Sequence, residues 1–303
     1  MSPAPKNVAI SVRDRLVARA RSRRENAQLL MTRYVLERLL YRLSRSPHRD
    51  RFILKGAMLF SLWADAPYRA TGDLDLLGAG ENAPEKLAAI FQEILAVEVE
   101  DDGIIFRPDT LKAAAARAED EYAGVRIDFL TELAGARLPM HIDIGYGDAV
   151  TPAPINIRYP SMLDQPMAEL RAYPPETVVA EKFQAMVALD MINTRLKDFY
   201  DLWAIANSFE FDGAVLARAI AATFERRQTK IPEQVPAALT AAYADERQGQ
   251  WAAFLRRTEI ALAPEPFPEV QAQIERLVMP PAAALAGGAP FEGRWRRGGP
   301  WEV

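Results

Sequence analysis

The sequence predicts an α+β chain, in which short strands set among helices give way to a helical C-terminal lobe. Three observations carry this. Four short apolar segments, Leu74–Leu77, Ile104–Arg107, Val125–Leu130 and Met140–Ile144, are punctuated by Gly103, Gly124, Gly135 and Gly145 in the manner of strands and turns. Apolar residues at helical spacing bracket them, as in Val35, Leu36, Leu39, Leu40 and Leu43 before and Leu87, Ile90, Phe91 and Ile94 within. From Pro175 onward the periodicity is helical throughout.

Taken in order, residues 11–46 read as one or two helices ended by Ser46-Pro47, since the residue before proline avoids the α region. Arg51–Gly56 is a short strand or an entry turn, and Ala57 to Trp63 starts a helix that Asp65-Ala66-Pro67 breaks. Leu74–Leu77 is a strand and Pro84–Leu95 a helix. Pro174-Pro175-Glu176 opens another helix, because proline fits the first turn and an acid complements the helix dipole. Asn193-Thr194 supplies capping chemistry before the stripe of Leu196, Phe199, Tyr200 and Trp203. Further helices over 212–279 break near Pro232, Pro236 and Pro264–Pro268, and periodicity fades after 280. The expected division is a core over 1–160 with a basic N-terminal helical region, a helical domain over 161–280 and an extended or disordered tail over 281–303.

With 303 residues, 50% hydrophobic and 26% charged, the chain has the composition of a globular protein with a sizeable core. No apolar stretch is long enough to span a bilayer, and Met1–Asn7 lacks the plan of a secretory signal, so the cytoplasm is the expected compartment and no membrane partner is expected. The absence of cysteine excludes disulfides, thiolate zinc sites and cysteine nucleophiles. Only His48 and His141 are present, which excludes multi-histidine sites. Residues 1–51 hold thirteen basic against four acidic residues, which leaves the rest of the chain at −13 within a net charge of −4. Such asymmetry suits a polyanion contact or a solvated arginine face.

The chemistry concentrates at Lys55-Gly56-Ala57-Met58 and Arg69-Ala70-Thr71-Gly72-Asp73-Leu74-Asp75. Alternate strand residues project from one face about 6.6–7 Å apart, so Asp73 and Asp75 would repel by about 2–2.5 kcal/mol at an effective dielectric near 20. A cation offsets that repulsion, and hard oxygen donors beside a phosphate-contacting turn suit Mg²⁺ holding nucleotide phosphates. A third acid is expected from a neighbouring strand. Asp143 and Asp128 both qualify; Asp143 is preferred because it sits between Ile142 and Ile144 just before a glycine-rich exit. His141 shares Asp143's strand face as cleft lining or a polar partner. Lys182, at the margin of an apolar stripe, is either a snorkelling lysine or a cation aimed at a triphosphate. Asp198 and Asp201 share a helix face.

Together these segments, with Ile142–Asp148, Glu176–Lys182 and Arg195–Leu202, resemble the AbiEii/AbiGii-type nucleotidyltransferase toxin family. Many relatives carry a second glycine and a hydroxyl residue where this chain has Ala57 and Met58. The resemblance implies a polymerase-β-like nucleotidyltransferase core, a mixed sheet flanked by helices, with a helical C-terminal lobe. It implies the toxin of a toxin–antitoxin (abortive-infection type) pair, with its antitoxin encoded nearby, transferring nucleotides from NTP to RNA, the tRNA acceptor end being the known kind of target. Carried over, Asp73 and Asp75 ligate Mg²⁺, Asp143 joins them and helps activate the attacking hydroxyl, and Lys182 contacts the triphosphate. Asp198 completes the site, while Lys55, Gly56, Arg69 and Thr71 line the phosphate region. The arginine-rich N-terminal region becomes a candidate RNA surface. Competing readings are a nucleotidyltransferase that modifies protein or itself, a glycosyltransferase using Asp-x-Asp, and an inactive nucleotide- or RNA-binding relative.

Overall fold

The computed structural model describes residues 7–63, 71–115, 124–258 and 263–302. They divide into two units, Met1–Gly147 with Ile155–Ala172, and Asp148–Pro154 with Tyr173–Val303.

The first unit opens with α1 (Val8–Arg23) and α2 (Ala27–Arg45), capped by Asn7 and Asn26, whose side chains accept from the Ile10 and Leu29 N–H groups. Arg24 adopts a left-handed conformation (φ 57°), which ends α1 and makes residues 11–46 two helices. Then follow β1 (Phe52–Lys55), a short α3 (Phe60–Trp63), β2 (Asp73–Gly78), α4 (Pro84–Leu95), β3 (Ile104–Ala115), β4 (Gly124–Leu133), β5 (Ala136–Tyr146), β6 (Ile155–Tyr159) and β7 (Ala168–Ala172). The strands form one mixed sheet ordered β3-β4-β5-β2-β1-β7-β6, in which β2–β5 and β1–β7 are parallel and the other pairs antiparallel. The α+β class is as the residue patterning predicts, and the mixed sheet is as the family resemblance implies. The sheet runs to Ala172, so the strands of this unit continue past residue 160.

Alternation decides which side of the sheet is covered. Leu74 and Leu76, Ile142 and Ile144, and Val125, Ile127 and Phe129 are buried, and α2 packs on β7 while α4 packs on β3. Phe52 meets Phe91 of α4 edge to face at 5.4 Å, which fixes β1 against the same layer. The intervening residues, Lys55, Asp73, Asp75, Arg126, Asp128, His141 and Asp143, necessarily face the other way.

Much of the N-terminal arginine excess is structural. Arg38 and Arg42 are buried and both bond Asp102, Arg42 at 2.6 Å, while Arg38 also donates to the Pro166 carbonyl at 2.7 Å. Asp102 in turn accepts from the Ile104 N–H at the head of β3. Buried Glu37 accepts from Ser161 Oγ and the Met162 N–H, and Arg19 donates to the Met162 carbonyl. The segment between β6 and β7 is thereby tied to α1 and α2. Periodicity sees these arginines as surface residues; their partners lie more than fifty residues away.

The second unit contains α5 (Pro175–Leu189), α6 (Leu196–Ser208), β8 (Phe211–Asp212), α7 (Gly213–Arg226), α8 (Ala241–Thr258), α9 (Phe267–Ala286), β9 (Arg294–Trp295) and β10 (Trp301–Glu302). Phe199, Tyr243, Trp251 and Phe267 pack together at its centre, Phe199 on Tyr243 and Trp251 on Phe267 stacked and Phe199 meeting Phe267 edge to face. α9 continues through Pro280 and Pro281 to Ala286, with Met279, Pro281 and Ala282 buried. The remaining tail is built into a small sheet ordered β10-β9-β8, where fully buried Trp295 donates from Nε1 to the Ala206 carbonyl at 2.8 Å. Among the described residues no helix is long and apolar enough to cross a membrane.

Candidate active site

Two rows of polar side chains cross the opposite sheet face at the N-terminal end of β2. In one, Lys55 of β1 stands opposite Asp75 of β2, Asp75 opposite Asp143 of β5, and Asp143 opposite Arg126 of β4. In the next, Asp73 stands opposite His141, and His141 opposite Asp128. Adjacent strands are about 4.8 Å apart, so two carboxylates in neighbouring strands repel by about 3.5 kcal/mol at an effective dielectric near 20. The first row offsets this by placing a cation at each end of the acidic pair.

The turn after β1 is shaped around Asp75. Gly56 has φ +72°, and a Cβ there would lie 2.0 Å from Asp75 Oδ2, so only glycine admits the carboxylate. Asp75 is half-buried while Asp73 is exposed. Thr71 Oγ1 accepts from the Asp73 N–H and donates to the Asp73 carbonyl, both at 3.3 Å, bracing the entry to β2. Arg69 lies outside the described residues.

Asp143 and Asp128 play different parts. Arg126 grips Asp143 with two parallel hydrogen bonds of 2.7 Å, Nε to Oδ1 and Nη2 to Oδ2. This bonding holds the Arg126 guanidinium firmly in its charged form. Asp128 instead meets His141 Nδ1 at 2.5 Å, so His141 is the partner of a carboxylate one strand further out. Arg126 is the residue that sequence reasoning passed over. Its signal was present, since Arg126-Ile127-Asp128 alternates charge with apolar burial just as Asp73-Leu74-Asp75 does.

Among the described residues no three His, Asp or Glu side chains form a metal-holding group. The donors on this face nevertheless suit a hard divalent cation in their chemistry. Asp73 and Asp75 present carboxylate oxygens from one strand, Asp143 stands beside Asp75 on the next, and the bare Cα of Gly56 leaves Asp75 room. Asp143 is turned onto Arg126, which supplies positive charge to that carboxylate.

The second unit holds the other two expected residues as one cluster. Lys182 of α5 bonds Asp198 at 2.6 Å and Asp201 at 2.9 Å, both on α6, with side-chain exposures of 15%, 9% and 0%. Asp198 and Asp201 share a face three residues apart, as the helical spacing predicts. Lys182 is thus a cation held by packed helices. Beside it, Arg227 bonds Asp148, Glu181 and Gln184, a buried network that sequence reasoning missed because its members are spread over three segments.

No protein of curated description matches this sequence. Among solved structures, JHP933 from Helicobacter pylori is similar at 14% identity, with a TM-score of 0.48 over 87% of this chain and 94% of that one. A second H. pylori protein, provisionally described as a nucleotidyltransferase, is similar at 14% identity, with a TM-score of 0.47 over 87% and 96% of the respective chains. Residues 38–276 match the family described as Nucleotidyl transferase AbiEii toxin, Type IV TA system, and the chain therefore belongs to that nucleotidyltransferase toxin family.

Proposed function

We propose that this nucleotidyltransferase is a Mg²⁺-dependent toxin that transfers NMP from an NTP to RNA, with the tRNA 3′ acceptor end as its target. It acts in the cytoplasm, in an abortive-infection type of system, and is restrained by an antitoxin encoded nearby. The observation that carries the reading is the row in which Asp75 and Asp143 stand side by side on parallel β2 and β5, with Asp73 on the same face and Gly56 against Asp75.

In this reading Asp73, Asp75 and Asp143 hold Mg²⁺. The ion, when bound, supplies Lewis-acid stabilisation of phosphoryl oxygens and of pyrophosphate. Gly56, Lys55, Arg69 and Thr71 line the phosphate region, with Lys55 adding positive charge at one end of the row. Asp143 also receives the proton of the attacking 3′-hydroxyl. Lys182 contacts the triphosphate, and Asp198 and Asp201 hold its ammonium. The α-phosphorus–oxygen bond to pyrophosphate breaks as the bond to the RNA 3′-oxygen forms. Little covalent work falls to the protein; positioning and electrostatic stabilisation carry the step.

The test is incubation of the full chain with each α-³²P-NTP and total tRNA. Label in tRNA that disappears with Asp73→Asn is the expected result. Label appearing only in the protein would favour a self-modifying enzyme, and no label in either would overturn the reading.

A further inference from the structure

Asp143, the third carboxylate of this face, accepts a hydrogen bond on each of its oxygens. Arg126 donates to Oδ1 and Oδ2 of Asp143 at 2.7 Å each, so one lone pair on each oxygen is occupied, the carboxylate is oriented toward β4, and the adjoining guanidinium charge opposes a cation approaching the lone pairs that remain. The pair is accessible, with side-chain exposures of 53% and 35%. Its place is fixed by register: Arg126 of β4 stands opposite Asp143 of β5 on the face that carries Asp73 and Asp75. Asp128, the other carboxylate within reach of β4, is engaged by His141.

The charge arrangement gives the contact a purpose. Without a bound cation, Asp73, Asp75 and Asp143 crowd like charge onto two neighbouring strands, and Asp143 would swing away into water. A guanidinium that grips it bidentately keeps it on the face. A dication placed among the three carboxylates carries twice the charge of the guanidinium and takes over that role.

We infer that Arg126 is a positioning residue that competes with the divalent cation for Asp143, holding the carboxylate in the cation-free protein and releasing it on cation binding. The inference rests on the proposed metal-dependent transfer, and it adds a residue that sets how readily the site loads. Arg126 touches neither NTP nor RNA in this scheme; it acts through Asp143.

The experiment measures Mn²⁺ binding to the full chain, without nucleotide, by the electron-paramagnetic signal of free Mn²⁺. Arg126→Gln keeps a polar side chain at an exposed strand position and removes the competitor. It is expected to tighten Mn²⁺ binding by about five- to tenfold, as for a bidentate charge-assisted pair that is partly screened by water. Arg126→Lys, which offers a single point of contact, is expected to fall between the two. The control is Asp143→Asn, in which the benefit of Arg126→Gln should shrink to no more than about twofold, the part due to lost long-range repulsion.

An equal gain in both backgrounds would reduce Arg126 to a distant charge and overturn the inference. Unchanged or weakened binding in Arg126→Gln would also overturn it, since Arg126 would then support Asp143 as a ligand. Failure of the underlying reading looks different. Mn²⁺ would then bind neither the parent nor Arg126→Gln, or would bind Asp73→Asn as well as the parent.

Discussion

A Cβ on Gly56 would come within 2.0 Å of Asp75 Oδ2, so the turn after β1 and the second aspartate of β2 occupy space that only glycine leaves available. Gly56→Ala must either shift that carboxylate or distort a backbone held at φ +72°, where a Cβ costs about 1–2 kcal/mol. The fold should survive, because the residue lies at the rim of a large core. Transfer should fall by about 100-fold, the usual consequence of moving a positioned group by an ångström. Circular dichroism with the tRNA-labelling assay checks this; transfer at the parental rate would detach the turn from the chemistry.

Asp73 is exposed, and its side chain carries no packing duty. Asp73→Asn should therefore change stability by less than about 0.5 kcal/mol while abolishing both nucleotide transfer and growth inhibition. Urea unfolding and a plate assay of induced cells separate the two effects. Toxicity at the parental level would place the reacting centre elsewhere.

Lys182 is a different case, because two buried carboxylates lean on it. Replacing it with methionine leaves Asp198 and Asp201, with exposures of 9% and 0%, without their shared cation. Breaking such a buried pair costs about 3–5 kcal/mol. Lys182→Met should thus lose stability as well as activity, whereas Asp73→Asn loses activity alone. A denaturation midpoint equal to the parent's would show that the cluster is not held this way in solution.

The parts of the protein legible in the sequence are those written locally. β2 and β5 could be read because apolar and acidic residues alternate along them, and the break at Asn193 because an asparagine side chain turns the local backbone. That side chain accepts from the Arg195 N–H and does not cap α6, whose N-cap is Arg195. The inward turn of Arg38 and Arg42 was not legible, since nothing near them names Asp102 as partner. The same holds for the tail, where Trp295 is buried by contacts with residues more than eighty positions earlier. At the site, the residues on the face follow from period-two patterning, but which carboxylate pairs with which cation depends on register across β4 and β5. Register is a property of two strands, so a single-strand pattern cannot choose between Asp128 and Asp143.

Glu37 makes stability depend on pH. Burial pushes its carboxyl from 4.5 up to about 7, against the lowering effect of the Met162 N–H and Ser161 hydroxyl it accepts from. The folded protein therefore holds a proton that the unfolded chain has released between these values, and stability falls as pH rises from about 4.5 to about 7. The difference between the parent and Glu37→Gln isolates this residue, because Gln cannot titrate. Chemical unfolding of both at pH 5 and pH 7 should show the parent losing more than the variant. Equal losses would mean that burial does not raise the Glu37 carboxyl in the folded protein.

The basic N-terminal region divides by partner rather than by position. Arg15 and Arg19 donate to the Leu163 and Met162 carbonyls, so they fasten the segment between β6 and β7. Arg21, Arg23 and Arg24 are exposed at the end of α1, which makes them the better candidates for an RNA backbone. Each phosphate contact with a single strand contributes about 0.7 to the slope of log binding constant against log salt. Neutralising Arg21, Arg23 and Arg24 to glutamine should flatten that slope by about 1–2 while leaving the unfolding midpoint unchanged. Neutralising Arg15 and Arg19 should do the opposite, lowering the midpoint and leaving the slope near the parent's. Filter binding of tRNA from low to high salt measures the slope. If the two sets of variants behaved alike, the division would fail, and the arginine excess would serve one purpose along the whole of α1.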